Sequence, residues 1–527
     1  MMNILHSKKI RFFIPFAAFL FYIVHTFLLR NQVSNIFSQD IVWGKTQYAA
    51  VLLSMLFGYG VYLCILTALY LLCTQSRIFL RLLKQFMIYF IPMFLLLLCT
   101  WPGIFKGDEF YVLQAVRKLE FSPAQTGITS LFYIACLRFF PSMGSISFFQ
   151  IVIICCIYAY IFYQLQNIYP GRHFILCHIV CFFLPVLDGN LFTLRATLVG
   201  WIFLLIMCMC FFAWKKQRLT LRQMLIISLL CGLIIAWRSE YIYLLLFIPP
   251  AAKLVYKKNW KQVLLCFLVI LISFQIFNIP NKIALNGSNK YPISLVINPL
   301  GNIFAQDEIR GETAYDDIMT INELIDVQAL RLHPSVRNIS QYWNIPDILP
   351  EEQLREFMAA SMRLILNNFD HFLYYRWLTF AHTNGMFTDE INHPTAPTPE
   401  TIHTLTYYGE DYKNSYYFMQ PVFGEKVRNA VIDILSCRSY TTDSAKTNIL
   451  YPVFYNCLPT LFVALICMIQ CFFKKKYVPA GILFLTSAQV VLIFLTAPAM
   501  FFMYYYCFYL TGYFCSALVL LELYQSH

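Results

Sequence analysis

Apolar runs broken by short basic loops fill the chain from residue 10 to 277 and again from 449 to 522. A bilayer hydrocarbon core about 30 Å thick needs roughly 20 apolar residues per helix, and fewer where neighbours shelter it. On that scale the pattern predicts twelve transmembrane helices, at 10–29, 48–73, 86–101, 145–165, 174–187, 196–213, 223–237, 240–252, 260–277, 449–472, 478–496 and 500–522. A thirteenth apolar piece, 128–140, is short and carries Arg138, so it reads as a span, a re-entrant helix or an interfacial one. Between the two apolar blocks lies a polar segment, 278–448. Its helical look over 351–380, where Leu354, Phe357, Leu364 and Leu366 alternate with charges, makes it one mainly helical domain.

Composition sharpens this into a class. Hydrophobic residues make up 59% of the 527 and charged residues only 13%, roughly half the usual share for a globular protein. Disorder, fibrous repeats and a secreted disulfide scaffold are excluded, and an all-α polytopic membrane protein remains. Lys8, Lys9 and Arg11 before an apolar run resemble a secretory signal, but the run from Ile10 to Leu29 is too long for one, so it is expected to stay as an anchor. All cysteines but Cys437 fall in or beside apolar segments, where a thiol behaves as a small hydrophobe.

Charge then orients the chain. Cytoplasmic loops are enriched in Lys and Arg. With the N-terminus inside and 128–140 not crossing, Arg77/Arg81/Lys84, Arg172, Lys215/Lys216/Arg218/Arg222, Lys253/Lys257/Lys258/Lys261 and Lys474/Lys475/Lys476 all fall on one side. That places both termini in the cytoplasm and the loop 102–127 and domain 278–448 outside. The domain holds 20 of the 27 acidic residues and 13 of the 39 basic ones, a net charge of −7 against +19 for the remainder. The organisation expected is therefore a transmembrane region 1–277 with an external acidic loop, an extracytoplasmic domain 278–448, and C-terminal helices 449–527.

Outside that domain only seven carboxylates exist: Asp40, Asp108, Glu109, Glu120, Asp188, Glu240 and Glu522. Ionisable groups at membrane depth are costly unless solvated, paired or used. Asp108 and Glu109 follow Trp101-Pro-Gly, where Pro102, Gly103 and Gly107 break the helix and put two adjacent carboxylates at the water boundary. There a carboxylate can take a proton from an acceptor hydroxyl or hold a divalent cation beside a phosphate, although on composition alone a merely solvated loop pair is the simpler explanation. Asp188 and Arg195 bracket an outer turn, Pro185 to Arg195, where they can pair, cap helices or face a lipid phosphate. Arg238 and Glu240 interrupt two apolar runs in Trp237-Arg-Ser-Glu-Tyr241, where an arginine often only snorkels. The histidines at 333, 371, 382, 393 and 403 carry no HExxH context, no CxxC, GxSxG, P-loop or dinucleotide fingerprint is present, and no metal site or nucleic-acid partner is expected.

A span ending in a short acidic loop, then an amphipathic stretch and paired apolar helices, resembles the GT-C glycosyltransferases that use polyprenyl-phosphate sugars. It is most similar to a bacterial branch with a Tyr- or Trp-Pro-Gly motif shortly before an aspartate. The Pro185–Arg195 turn, Ala236-Trp-Arg-Ser-Glu240, and Pro498 before the aromatic run 501–506 share that layout. The resemblance implies a GT-C fold and a catalytic carboxylate at Asp108, or its neighbour Glu109, with Asp188 in support. It further implies a phosphate-facing role for Arg195 or Arg238 beside Glu240, a lipid-linked sugar donor, and a glycan, lipid or protein acceptor at the plasma membrane. A divalent cation is compatible with the arrangement and not required by it. The chain departs from the simplest pattern: two extra spans precede the acidic loop, and Ser122-Pro123 stands where His-Pro-Pro would follow. Two rival readings are an O-antigen polymerase or ligase type enzyme, which would rely on Arg310, Arg331 and Arg337, and a lipid-linked-saccharide flippase or transporter.

Overall fold

The computed structural model describes residues 8–37, 41–105, 107–123, 125–285, 289–335, 344–346, 348–386, 416–441, 444–447 and 450–524. Regular structure among them is helical, apart from one antiparallel ribbon that pairs Arg438–Thr441 with Ser444–Thr447 and one parallel bridge between Ile104 and Phe192. Nine helices among the described residues are long and apolar enough to cross a membrane. They coincide with nine of the twelve expected spans. The other three segments are shorter helices. The piece 174–187 divides into Ile175–Cys181 and Leu184–Leu191, because Pro185 fixes a new first turn. The segment 223–237 is the helix Leu221–Trp237, and 240–252 is Tyr243–Leu254, entered through a tight 3₁₀ turn, Ser239–Ile242.

The chain forms two compact units. The first comprises the described residues of Met1–Ala284 and Pro397–Leu435. Its helices are α1 (Lys8–Ile36), α2 (Lys45–Cys73), α3 (Arg77–Thr100), α4 (Gly107–Arg117), α5 (Gly127–Phe139), α6 (Met143–Ile168), α7 (Ile175–Cys181), α8 (Leu184–Leu191), α9 (Arg195–Lys215), α10 (Leu221–Trp237), α11 (Tyr243–Leu254), α12 (Trp260–Phe277) and α13 (Ile279–Leu285). Helix α9 is apolar all round and mostly buried, as is α6, whereas α1 turns nearly all its residues outward. Small residues set the closest approaches: a Cβ on Gly232 of α10 would fall 1.9 Å from Ser273 Oγ of α12, so only glycine permits that crossing. The basic loops end in ordinary caps. Thr220 accepts from the Gln223 amide at 3.2 Å while the Gln223 side chain accepts from Thr220 N at 3.0 Å, and Asn259 caps α12.

The second unit comprises the described residues of Leu285–Ala396 and Ser436–His527. Ile293, Ile297, Leu300 and Phe304 on α14 (Tyr291–Phe304) form a core with Ile321 on α15 (Ala314–Asn322), Leu330 on α16 (Val327–Leu332), and Phe357 and Leu364 on α17 (Glu351–Asn367). The helical stretch expected over 351–380 is two packed helices, α17 and α18 (Phe369–Thr383), broken at Asn368. There the Asn368 side chain accepts from Arg310 N at 3.1 Å and donates to Arg310 O at 3.0 Å, pinning the preceding loop to the break. Arg376 of α18 donates to the Ala497 and Leu295 carbonyls at 2.6 and 2.7 Å. Its burial lowers its pKa to about 10, which still leaves it charged at neutral pH. The segment 278–448 thus contributes to both units, since 416–435 belongs with the first.

Candidate functional site

All six candidate residues lie in the first unit, and local sequence explains each placement. Helix α3 ends at Trp101-Pro102-Gly103, whose first peptide bond is cis. Gly103 has φ +111°, and a Cβ there would fall 2.1 Å from Ser147 Oγ, which itself donates to Pro102 O at 3.0 Å. Trp101 lies over Gly144, where a Cβ would come within 2.3 Å of the indole, and its Nε1 donates to Phe418 O at 2.8 Å. Arg428, in the helix Glu425–Ser436, donates to Gly103 O at 3.3 Å, and burial lowers its pKa. The Trp-Pro-Gly motif is therefore a packed corner. It holds the acidic segment against α6 and against residues 416–428, a contact more than 300 positions distant in sequence.

Past this corner the expectation of two carboxylates at the water boundary needs correction. Residues 107–117 are helix α4, with Asp108 and Glu109 in its first turn, where the helix dipole favours negative charge. Phe110, Leu113 and Val116 recur along one face, and with Val112 they pack into a core that includes Tyr133, Ile134 and Leu137 of α5. That packing leaves Asp108 half-buried and draws Glu109 fully inside. The two neighbours are thus inequivalent, with only Asp108 accessible for chemistry.

A continuous run of contacts joins Asp108 to the arginines. Gln125 Nε2 donates to Asp108 Oδ2 at 2.9 Å, and the Gln125 carbonyl accepts from Thr129 Oγ1 at 2.7 Å. Thr129 Oγ1 in turn accepts from Trp237 Nε1 at 2.9 Å, and the Trp237 carbonyl accepts from Arg195 Nη1 at 3.5 Å. Arg238, the next residue, bonds Glu240 Oε1 through Nε at 3.1 Å and Nη2 at 2.6 Å. The charge of Arg195 also bears on Glu240. A second connection runs through Tyr133, whose hydroxyl donates to Thr193 Oγ1 at 2.8 Å, two residues before Arg195.

The turn carrying Asp188 and Arg195 is fixed by a buried polar network. Trp201 Nε1 donates to Asn190 Oδ1 at 2.7 Å, Asn190 Nδ2 donates to the Tyr89 hydroxyl at 2.8 Å, and Tyr89 donates to Cys181 O at 2.7 Å. Ile104 N donates to Leu191 O at 3.2 Å, which ties the Asp108 segment directly to this turn. Asp188 is buried in α8, while Arg195 opens α9 and is half-buried. Arg238 does not snorkel: its side chain is 4% exposed and paired, whereas that of Glu240 is 22% exposed. The structure thus brings Asp108, Arg195, Arg238 and Glu240 into one run of contacts, with Glu109 buried beside Asp108 in α4 and Asp188 buried in α8.

Sequence reasoning passed over Gln125, Thr129, Tyr133, Thr193 and Trp237, uncharged residues that make the links. A signal was available only for Thr193 and Trp237, which stand at helix ends within two residues of Arg195 and Arg238. Among the described residues no group of three or more His, Cys, Asp or Glu is placed to share a metal ion. Asp40, His393, His403 and Arg337 lie outside the described residues. Arg310 pairs with Asp370 on an exposed surface of the second unit. Compared with known proteins, the chain matches no family model, no curated protein and no solved structure.

Proposed function

We propose that this chain is an integral membrane glycosyltransferase that moves a sugar from a polyprenyl-phosphate carrier to an acceptor at the outer face of the plasma membrane, both termini being cytoplasmic. The observation that carries the reading is the half-buried Asp108 carboxylate, oriented by Gln125 and linked through Thr129 and Trp237 to Arg195. In this reaction the acceptor hydroxyl oxygen bonds to the anomeric carbon of the donor sugar, and Asp108 takes the hydroxyl proton. The bond from that carbon to the phosphate oxygen breaks, so the carrier leaves as a phosphate monoester with an added negative charge. Arg195, at the positive end of α9 and partly accessible, meets that charge. Arg238 is already neutralised by Glu240 and acts as a positioning residue for the Trp237 carbonyl that receives Arg195. Glu109, fully buried, does not touch substrate. The bilayer delivers the donor, which suits a chain without a nucleotide motif.

The test is transfer of radiolabelled sugar from polyprenyl phosphate in membrane vesicles. Asp108→Asn keeps the size and most hydrogen bonding of the side chain but cannot accept the proton, so turnover should fall by about 10²-fold. Arg195→Gln should slow turnover while Arg195→Lys retains more of it. Undiminished transfer by Asp108→Asn would overturn the reading.

A further inference from the structure

A second charged feature stands apart from this network. A partly open cavity of about 390 Å³ is bordered by Tyr22, Thr26, Arg30, Ser34, Trp43 and Arg138. It lies beside the C-terminal half of α1, away from Lys8 and Lys9 at that helix's start. No carboxylate is among the described residues that line it. Arg30 stacks on Phe27 with its guanidinium carbon 5.1 Å from the ring centre, and Arg138 stacks on Phe37 at 5.9 Å. Stacking occupies the flat face of a guanidinium and leaves its N–H edge to donate. The Nε of Arg138 is buried and has no hydrogen-bond partner among the described residues.

The surroundings say what such an edge would meet. Phe27 and Leu28, close to Arg30 on α1, are 66% and 67% exposed, so the helix that borders the cavity turns an apolar face outward and is long enough to cross a membrane. Two arginines on an apolar wall, with no carboxylate among the described residues that line it, are costly. A phosphate offset by guanidinium forks removes that cost, and the Tyr22 hydroxyl can donate to a remaining oxygen, whereas Thr26 and Ser34 already donate to the Tyr22 and Asn31 carbonyls. A free phosphate would leave the apolar walls unused. From this geometry we propose that the Arg30–Arg138 cavity binds the phosphate of an anionic membrane lipid, with the acyl or prenyl tail lying along α1. The site shares no residue with the Asp108 network and does not rest on the proposed glycosyl transfer.

The test uses full-length purified protein in detergent micelles doped with one lipid at a time, with retained lipid counted by native mass spectrometry. The probes are dioleoylphosphatidylglycerol, a long-chain polyprenyl monophosphate, dioleoylphosphatidylcholine and inorganic phosphate. The two anionic lipids should be retained over phosphatidylcholine. Arg30→Gln plus Arg138→Gln should lower that retention about tenfold, the loss of one or two charge-assisted hydrogen bonds. Arg30→Gln alone, at an exposed position, keeps the fold and should show a smaller loss. Preference for the polyprenyl phosphate over phosphatidylglycerol assigns the site to a carrier lipid, and equal retention assigns it to bulk anionic lipid; both uphold a lipid-phosphate site. Equal retention of phosphatidylcholine, unchanged retention in the double variant, or displacement of lipid by an equal concentration of inorganic phosphate would overturn it. So would strong retention appearing only in Asp40→Asn, since the arginines would then belong to that carboxylate.

Discussion

Arg238 and Glu240 offer the sharpest separation of a structural ion pair from a substrate-binding one. Glu240→Gln leaves Arg238, 4% exposed, with a neutral amide in place of the single oxygen that both its Nε and Nη2 engage. A buried charge that loses its counter-ion costs about 3 kcal/mol. Arg238→Gln leaves instead a carboxylate that is 22% exposed and still feels the charge of Arg195, so its cost should be nearer 1 kcal/mol. Replacing both removes the mismatch, and the double variant should be more stable than Glu240→Gln alone, a coupling of about 2 kcal/mol. The assay is thermal unfolding of the full-length protein in detergent, followed with a thiol-reactive fluorophore, because most of its free cysteines are buried until the helices separate. A loss of about 3 kcal/mol lowers the midpoint by roughly 5 °C in a cooperative unit of this size. If Arg238→Gln destabilises as much as Glu240→Gln, or if the double variant shows the sum of the two losses, the pair is not a buried structural bridge. If Glu240→Gln unfolds normally yet abolishes transfer, Glu240 belongs with the reacting groups.

Asp108→Asn should cut sugar transfer by about 10²-fold with an unchanged unfolding midpoint, as measured on the same membranes, because the half-buried carboxylate is not a core group. Glu109→Gln should do the reverse, lowering the midpoint by several degrees with a smaller loss of turnover, since Glu109 is 0% exposed. Gly103→Ala places a methyl against Ser147 at a backbone angle that side chains resist, so it should cost about 2 to 3 kcal/mol, and Ser147→Ala in the same chain should restore part of that in thermal unfolding. For orientation, a cysteine at Arg355 should react with an impermeant maleimide on intact cells and one at Gln217 should not, in a background lacking the exposed Cys64, Cys73 and Cys156.

The helical, membrane-suited architecture was legible because a bilayer demands long apolar runs, and nine of the twelve expected runs are long helices. The three that are shorter sit where charge or proline enters the backbone: Pro185 starts a new helix, and Arg238 and Glu240 begin a 3₁₀ turn. In lipid a broken helix leaves amides and carbonyls that must be satisfied, and here side chains from elsewhere satisfy them. The turn at 188–193 is held by Gln150 and Thr197, and the break after Trp237 by Arg195, while Asn281 donates to Ala236 O at 2.6 Å. Those partners are invisible in a single sequence, since an uncharged Gln, Thr or Asn in an apolar run announces nothing about which distant carbonyl it will meet. The same reasoning explains why the spacing of Asp108 and Glu109 was legible and their difference was not. Adjacent residues on a helix point about 100° apart, so once α4 turns Phe110, Leu113 and Val116 inward, one carboxylate follows them and the other stays accessible. The inequivalence is therefore a consequence of where three apolar side chains lie, and any reaction at this turn has to be assigned to Asp108 before Glu109.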